Sequence, residues 1–158
     1  MAKDTKTNAM RILEQKGIEF RVNLYECEEF IDAVHVADQL GQNYENSFKT
    51  LVASGKSGAH YVFVLPIAEE LDLKKAAKSV GEKSVELIHV KEIFGLTGYV
   101  RGGCTPIGMK KQFVTVVDET AQLFDEIIIS GGKIGAQILI NPMDLQAVIS
   151  CDFVDLTL

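Results

Sequence analysis

Short apolar runs separated by glycines are the feature that most restricts the fold of this chain. Strongly β-branched runs predict strands over 113–117, 126–129 and 136–140. Further strands are predicted over 18–24, 49–53, 61–67, 85–88 and 153–156, with the first of these half-buried. Helices are predicted over 5–16, 32–40 and 73–80, each followed by a glycine, with a single helical turn over 90–94 and a last helix beginning at Asn141-Pro142.

The alternation of these elements is too irregular for a doubly wound parallel sheet. We therefore predict the α+β class, with a mixed, barrel-like β-sheet flanked by helices. A length of 158 residues suits one compact domain spanning 1–158. No apolar run approaches the roughly 18 residues of a spanning helix, so we expect no membrane association. The polar N-terminal stretch lacks the apolar core of a secretory signal.

Charge and cysteine content narrow the function classes. The formal net charge of −6 argues against a nucleic-acid binder that works by bulk charge, although a local basic site on an acidic body stays open. The three cysteines, Cys27, Cys104 and Cys151, cannot all pair, and none forms a CxxC motif. Reduced thiols and a cytoplasmic location are the simplest interpretation.

Most familiar catalytic motifs are absent. Gly55-Lys56-Ser57 lacks the earlier glycine of a phosphate loop and fits a hairpin turn better. The three histidines have no metal-ligand spacing, so we expect neither a metal nor a cofactor. Cys104 could be a nucleophile if its loop exposed it and lowered its pKa, but a small buried residue fits the position better.

Two glycine-rich loops and the lysines beside them are the remaining candidates. The loop at 102–108 combines glycine freedom with the rigidity of Pro106, and a second loop follows the strand at Ser130. Such loops can present backbone N–H groups to a ligand, although tight turns of a barrel would look the same. Lys49 stands at the mouth of an apolar strand, where an ammonium could enter a pocket or simply protect a sheet edge.

Taken in order, these motifs resemble one family. Phe48-Lys49-Thr50-Leu51 is followed by Leu71-Asp72-Leu73-Lys74-Lys75-Ala76-Ala77-Lys78, by Gly98-Tyr99 with Gly102-Gly103-Cys104-Thr105-Pro106-Ile107-Gly108-Met109-Lys110-Lys111, and by Ser130-Gly131-Gly132-Lys133. Their order and spacing, over nearly the whole chain, resemble the YbaK/EbsC group of the prolyl-tRNA editing superfamily.

The resemblance implies a trans-editing deacylase that hydrolyses Cys-tRNA(Pro). In the mechanism proposed for this family, the substrate's own thiol attacks its ester carbonyl, so the protein orients the ester and stabilises the oxyanion. The net charge of −6 predicts only modest, salt-sensitive affinity for tRNA, so we expect selection of tRNA(Pro) to need a partner, prolyl-tRNA synthetase. The alternatives are an Ala-tRNA(Pro) or other aminoacyl-tRNA deacylase, a tRNA- or nucleotide-binding module without turnover, and a hydrolase that depends on Cys104.

The resemblance assigns roles to particular residues. Lys49 is the expected catalytic residue. Substrate contacts are expected at Tyr25, Thr50, Gly102, Gly103, Thr105, Pro106, Ile107, Gly108, Ser130, Gly131 and Gly132. Contacts with the tRNA backbone are expected at Lys74, Lys75, Lys78, Arg101, Lys110, Lys111 and Lys133. Gln137 stands where the family leads us to expect an acidic residue, a departure that bears on aminoacyl specificity.

Overall fold

The structure is a computed structural model, which describes residues 6–27 and 31–158. The helices are α1 (Asn8–Gln15), α2 (Ala33–Leu40), α3 (Leu73–Ser79), α4 (Val90–Thr97) and α5 (Pro142–Ile149). The strands are β1 (Arg21–Leu24), β2 (Phe48–Gly55), β3 (His60–Pro66), β4 (Val85–Leu87), β5 (Val114–Asp118), β6 (Ile127–Ser130), β7 (Ala136–Ile140) and β8 (Asp152–Val154). A 3₁₀ helix, Glu119–Leu123, follows β5. This order of elements confirms the α+β prediction.

The helices begin where polar side chains cap them. The side chains of Thr7, Asp32, Asp72 and Asn141 each accept a hydrogen bond from a backbone N–H in the first turn of the helix that follows. Helix α1 therefore begins at Asn8, later than the predicted start at residue 5, which lies outside the described residues. The predicted starts after Asp72 and at Asn141-Pro142 are confirmed.

The strands form two sheets. The larger sheet has the order β4-β2-β3-β5-β8, in which β4, β2 and β3 pair antiparallel while β5 and β8 join in parallel. The smaller sheet, β1-β7-β6, is antiparallel throughout. A parallel bridge between Ser47 and Ile128 links the two sheets, and the N–H of Ile128 donates to the carbonyl of Asn46 at 2.9 Å. The prediction of mixed pairing is confirmed.

The two faces of the larger sheet pack against different partners. Neighbouring residues on each strand face opposite ways, so Val52, Val62 and Val117 join the larger core with the isoleucines of the smaller sheet. Residues one position away, such as Ala53 and Phe63, pack against helix α3 in a second, smaller cluster. Helix α3 therefore covers the face of the sheet that points away from the larger core. In the described part of the chain, every helix is too short or too polar to traverse a bilayer.

Two predicted elements differ from those observed. The predicted strand over 18–24 begins only at Arg21, because the N–H of Ile18 still donates to Leu13 at the end of α1. The residues of β1 are exposed rather than half-buried, since β1 is an edge strand. The single turn expected over 90–94 continues to Thr97, where Gly98 ends it in the left-handed conformation, at a φ of 85°.

Candidate active site

A cavity of about 410 Å³ opens where the two sheets meet. Its walls come from the start of β2, the first turn of α2, the segment joining β4 to α4, the loop after Tyr99, and the facing ends of β6 and β7. The sequence-predicted site residues that line it are Tyr25, Lys49, Thr50, Arg101, Gly102 and Ser130. Tyr25 and Ser130, which are far apart in the sequence, thus line the same pocket, and the lining of this pocket is mainly apolar.

Among the described residues, Lys49 is one of two basic residues that line this cavity, with Arg101. Its Nζ donates to the backbone carbonyl of Glu69 at 2.7 Å, which uses one of the three N–H donors of the ammonium. Partial burial lowers the pKa of Lys49, and the nearby charges of Glu70 and Glu69 oppose that shift only in part. One N–H of the Lys49 ammonium is therefore held by Glu69, and the other two can donate to a bound ligand.

Two further residues that line the cavity, Thr50 and Tyr25, carry hydroxyl groups. The Oγ1 of Thr50 is buried, and no hydrogen-bond partner for it is found among the described residues. A buried hydroxyl without a partner is unfavourable unless something else supplies the bond. Tyr25 also lines the cavity, and burial of its hydroxyl raises its pKa. Thr50 and Tyr25 therefore add polar groups to a lining that is mainly apolar.

The two glycine loops pack directly on each other at one wall of the cavity. A Cβ on Gly103 would lie 2.8 Å from the Cα of Lys133, so the two backbones approach as closely as only glycine allows. The scaffold holds the loop carbonyls in place: Tyr99 donates to Ile107 at 2.5 Å, and Thr7 donates to Gly131 at 2.6 Å. The loops are thus a rigid, interlocked support.

Part of each loop reaches the cavity. Gly102, Cys104 and Ser130 line it, whereas several residues predicted to contact the substrate do not. These are Gly103, Thr105, Pro106, Ile107, Gly108, Gly131 and Gly132. Thr105 and Ile107 are both 0% exposed. These two residues therefore pack in the core beside the cavity.

The predicted basic residues fall into two groups. Arg101 lines the cavity, and Lys110, Lys111 and Lys133 lie on the two loops that form its wall. The lysines of α3, namely Lys74, Lys75 and Lys78, lie on the opposite side of the larger sheet and do not line the cavity. Lys75 donates to the carboxylate of Asp155 at 2.8 Å and to the carbonyl of Thr157 at 2.6 Å, which ties α3 to the C-terminal segment.

Cys104 lines the cavity but has the wrong electrostatics for a nucleophile. Burial raises the pKa of its thiol to about 11. The thiolate is the reactive form of cysteine, so this shift in pKa disfavours Cys104 as a nucleophile. In the described residues no group of three or more His, Cys, Asp or Glu side chains is placed to hold a metal ion.

Two paired amides, Gln42 and Gln137, line the cavity, although the sequence drew attention to Gln137 alone. Gln42 Nε2 donates to Gln137 Oε1 at 2.8 Å, and Gln137 Nε2 donates back to Gln42 Oε1 at 3.1 Å. Asn23 donates a third bond to Gln137 Oε1 at 3.3 Å. Gln137 is 8% exposed, and both glutamines line the cavity. The pair joins the end of α2 to β7 without placing a charge in the cavity wall.

We expect the Gln42–Gln137 pair to behave as one unit in a double-mutant cycle. Replacing Gln137 by leucine leaves polar groups of Gln42 and Asn23 without partners, so the free energy of unfolding should fall by about 1–3 kcal/mol. The double variant Gln42→Leu/Gln137→Leu should lose less than the sum of the single variants, because the unpaired amide of Gln42 is also removed. Urea unfolding of the four proteins measures the coupling, and strictly additive losses would contradict it.

Comparison with known proteins places this geometry in context. The profile of a family described as the aminoacyl-tRNA editing domain matches residues 27–148. A protein of Enterococcus faecalis named putative Cys-tRNA(Pro)/Cys-tRNA(Cys) deacylase EbsC is 44% identical over 153 residues, which covers 96% of this chain and 93% of that protein.

Solved structures share the fold. The crystal structure of a putative trans-editing enzyme for prolyl tRNA synthetase superposes with a TM-score of 0.82 at 27% identity, covering 97% of this chain and 98% of that one. The hypothetical protein APE2540 superposes with a TM-score of 0.88, covering 96% and 100%, and at 22% identity it supports the fold alone.

Proposed function

We propose, from the premise that the chain belongs to the aminoacyl-tRNA editing domain family, that it is a trans-editing deacylase acting on Cys-tRNA(Pro). The observation that carries the proposal is the cavity that Lys49, Thr50 and the edges of two glycine loops all line. The deacylase name of the relative at 44% identity supports the same reaction and substrate class.

The need for such an enzyme follows from the size of the two amino acids. Cysteine and proline have similar volumes, so a synthetase pocket shaped for proline rejects cysteine poorly. A second site must then hydrolyse the wrong ester. A cavity of about 410 Å³ lies within the range of small-molecule sites and suits an aminoacyl group with part of its terminal nucleotide.

The chemistry we propose uses the thiol of the substrate. Its sulfur adds to the ester carbonyl carbon and forms a tetrahedral oxyanion. The oxyanion then collapses, the C–O bond to the ribose breaks, and the departing ribose oxygen takes the thiol proton. Water then opens the resulting thiolactone to release cysteine. This route needs no protein nucleophile, in keeping with the high pKa of the Cys104 thiol. The protein contributes orientation and stabilisation of the oxyanion.

The roles of the cavity residues follow from their positions. Lys49 donates to the ester carbonyl or to the terminal nucleotide, because its ammonium is fixed to Glu69 at only one N–H. The N–H of Gly103 already donates to Val100 at 2.9 Å, so we assign the loop's contact with the carbonyl to Gly102 and Cys104. The basic residues on the two loops bind acceptor-end phosphates, and a prolyl-tRNA synthetase helps to select the tRNA. A tRNA substrate places the reaction in the cytoplasm.

A panel of aminoacyl esters tests this proposal. Purified protein should hydrolyse Cys-tRNA(Pro) rapidly and leave Pro-tRNA(Pro) intact, with Ala-tRNA(Pro) hydrolysed far more slowly because alanine has no thiol. Loss of the ester is followed over time against the rate without protein. Equal hydrolysis of the cysteinyl and alanyl esters would refute the thiol-assisted route. Binding of the tRNA with no hydrolysis of any ester would refute the enzyme and favour a binding module.

A further inference from the structure

An exposed apolar strip leads away from the mouth of the cavity. Leu87 and Val90 both line the cavity, yet they are 48% and 51% exposed. Phe94 is 58% exposed and lies one turn beyond Val90 on the same face of α4. Among residues 6–27 and 31–158, Phe94 is the only phenylalanine or tyrosine whose side chain is exposed. We call these three residues the apolar strip.

A cation accompanies the aromatic ring. The Nζ of Lys110 lies 5.4 Å from the centre of the Phe94 ring, within the range of a cation–π contact. Its backbone N–H donates to Thr97 at 2.9 Å, and its Nζ lies 3.4 Å from the carbonyl of Gly95, so the side chain runs along the end of α4. The Lys110 ammonium therefore lies over one face of the Phe94 ring, and the exposed ring and the cation form one surface feature.

The charges around the strip suit a polyanion. Arg101 lines the cavity, and Lys110 and Lys111 continue on the exposed part of the same loop. Glu92, the acidic residue of α4, is two positions from both Val90 and Phe94 and so lies on the other side of the helix. On a chain of net charge −6, this concentration of positive charge next to an exposed aromatic ring is local and specific.

We infer that the apolar strip and Lys110 form the docking platform for the single-stranded 3′ end of the nucleic acid. Single-stranded binding sites combine aromatic rings, on which bases stack, with cations that follow the phosphates. One base stacks on Phe94, Lys110 and Arg101 bind the adjoining phosphates, and Val90 and Leu87 guide the terminal nucleotide into the cavity. The inference rests on the proposed function, since it supplies the path by which the ester reaches Lys49.

The platform predicts a change in substrate affinity rather than in chemistry. In single-turnover hydrolysis of Cys-tRNA(Pro), Phe94→Ala should raise the enzyme concentration at half-maximal rate about tenfold, because a stacked base is lost. The maximal rate should change little. Phe94→Trp should retain wild-type affinity, since a larger ring still stacks. Leu123→Ala is the matched control, because Leu123 is 79% exposed and does not line the cavity.

A binding measurement separates this inference from the proposed function. Fluorescence titration compares an uncharged RNA hairpin that carries a single-stranded CCA end with the same hairpin made blunt. Phe94→Ala should weaken binding of the first about tenfold and leave the second unchanged. Equal affinity of wild type and Phe94→Ala for the single-stranded end would overturn the platform, whether or not the protein deacylates. Loss of self-association, with RNA affinity intact, would assign the strip to a second copy and also overturn it.

Discussion

Replacing Lys49 by alanine should lower kcat/KM for Cys-tRNA(Pro) deacylation by about 10²–10³-fold, the usual cost of removing one donor that stabilises a developing oxyanion. Lys49 lines a cavity that is mainly apolar, and a donor in such surroundings acts strongly. Its carbonyl anchor at Glu69 belongs to the backbone and remains after substitution. Loss of activity should therefore occur without loss of the fold.

Two comparisons make this result specific. Lys56→Ala, at the exposed opposite end of the β2–β3 hairpin, should keep wild-type activity. Lys49→Met, which keeps the apolar stem, should be inactive but no less stable than wild type in thermal unfolding. Burial lowers the folded-state pKa of Lys49, so burying the charged ammonium costs stability at neutral pH. This cost falls as the pH rises through the folded-state pKa and is gone above the unfolded-state pKa.

The same shift in pKa predicts the alkaline limit of the reaction. Activity that needs the ammonium is lost as the pH rises through the lowered pKa of Lys49, below the ordinary lysine value of about 10.4. The rate is measured relative to spontaneous ester hydrolysis at each pH. Wild-type rates in Lys49→Ala would contradict the role of this residue.

A methyl group added at Gly103 should have the second large effect. The Cβ of Gly103→Ala would lie 2.8 Å from the Cα and 3.0 Å from the carbonyl carbon of Lys133. Both atoms belong to backbone, so the two loops must move apart. Overpacking of this kind costs about 1–3 kcal/mol of unfolding free energy. Because Gly102 and Cys104 flank the substitution and line the cavity, deacylation should also fall at least tenfold.

Gly95→Ala is the control for this substitution. No heavy atom lies within 4 Å of a Cβ built there, and Gly95 is inside helix α4. Alanine should therefore stabilise the protein by about 0.5–1 kcal/mol through helix propensity. Urea unfolding of both variants tests the pair, and equal stability of Gly103→Ala and wild type would show that the loops are not interlocked.

The fold could be predicted from the sequence because its local signals agree with its packing. Asp72 and Asn141 cap the helices that they were expected to begin, and the β-branched runs are buried strands. The division of the strands into two sheets could not be predicted. It depends on pairings such as β3 with β5 and β1 with β7, between residues far apart in the chain.

The candidate site was predictable where motifs carry it. Lys49, Thr50 and Gly102 line the cavity, as do Tyr25 and Ser130, and their roles there remain predictions. The sequence marks Gln137 as a departure from the family, but its pairing with Gln42 could not be anticipated, because the two residues are 95 positions apart. The lysines of α3 lie on the other face of the larger sheet, a placement that follows from the alternation of β2 and β3, and their contact with the tRNA backbone stays a prediction.

Single-turnover hydrolysis of Cys-tRNA(Pro) by wild type and Lys49→Ala, measured side by side with enzyme in excess, tests the central claim most directly. The account predicts rapid loss of the ester with wild type and a rate at least a hundredfold lower with the variant, at equal thermal stability. Rapid hydrolysis by both proteins would place the chemistry outside this cavity and contradict the account.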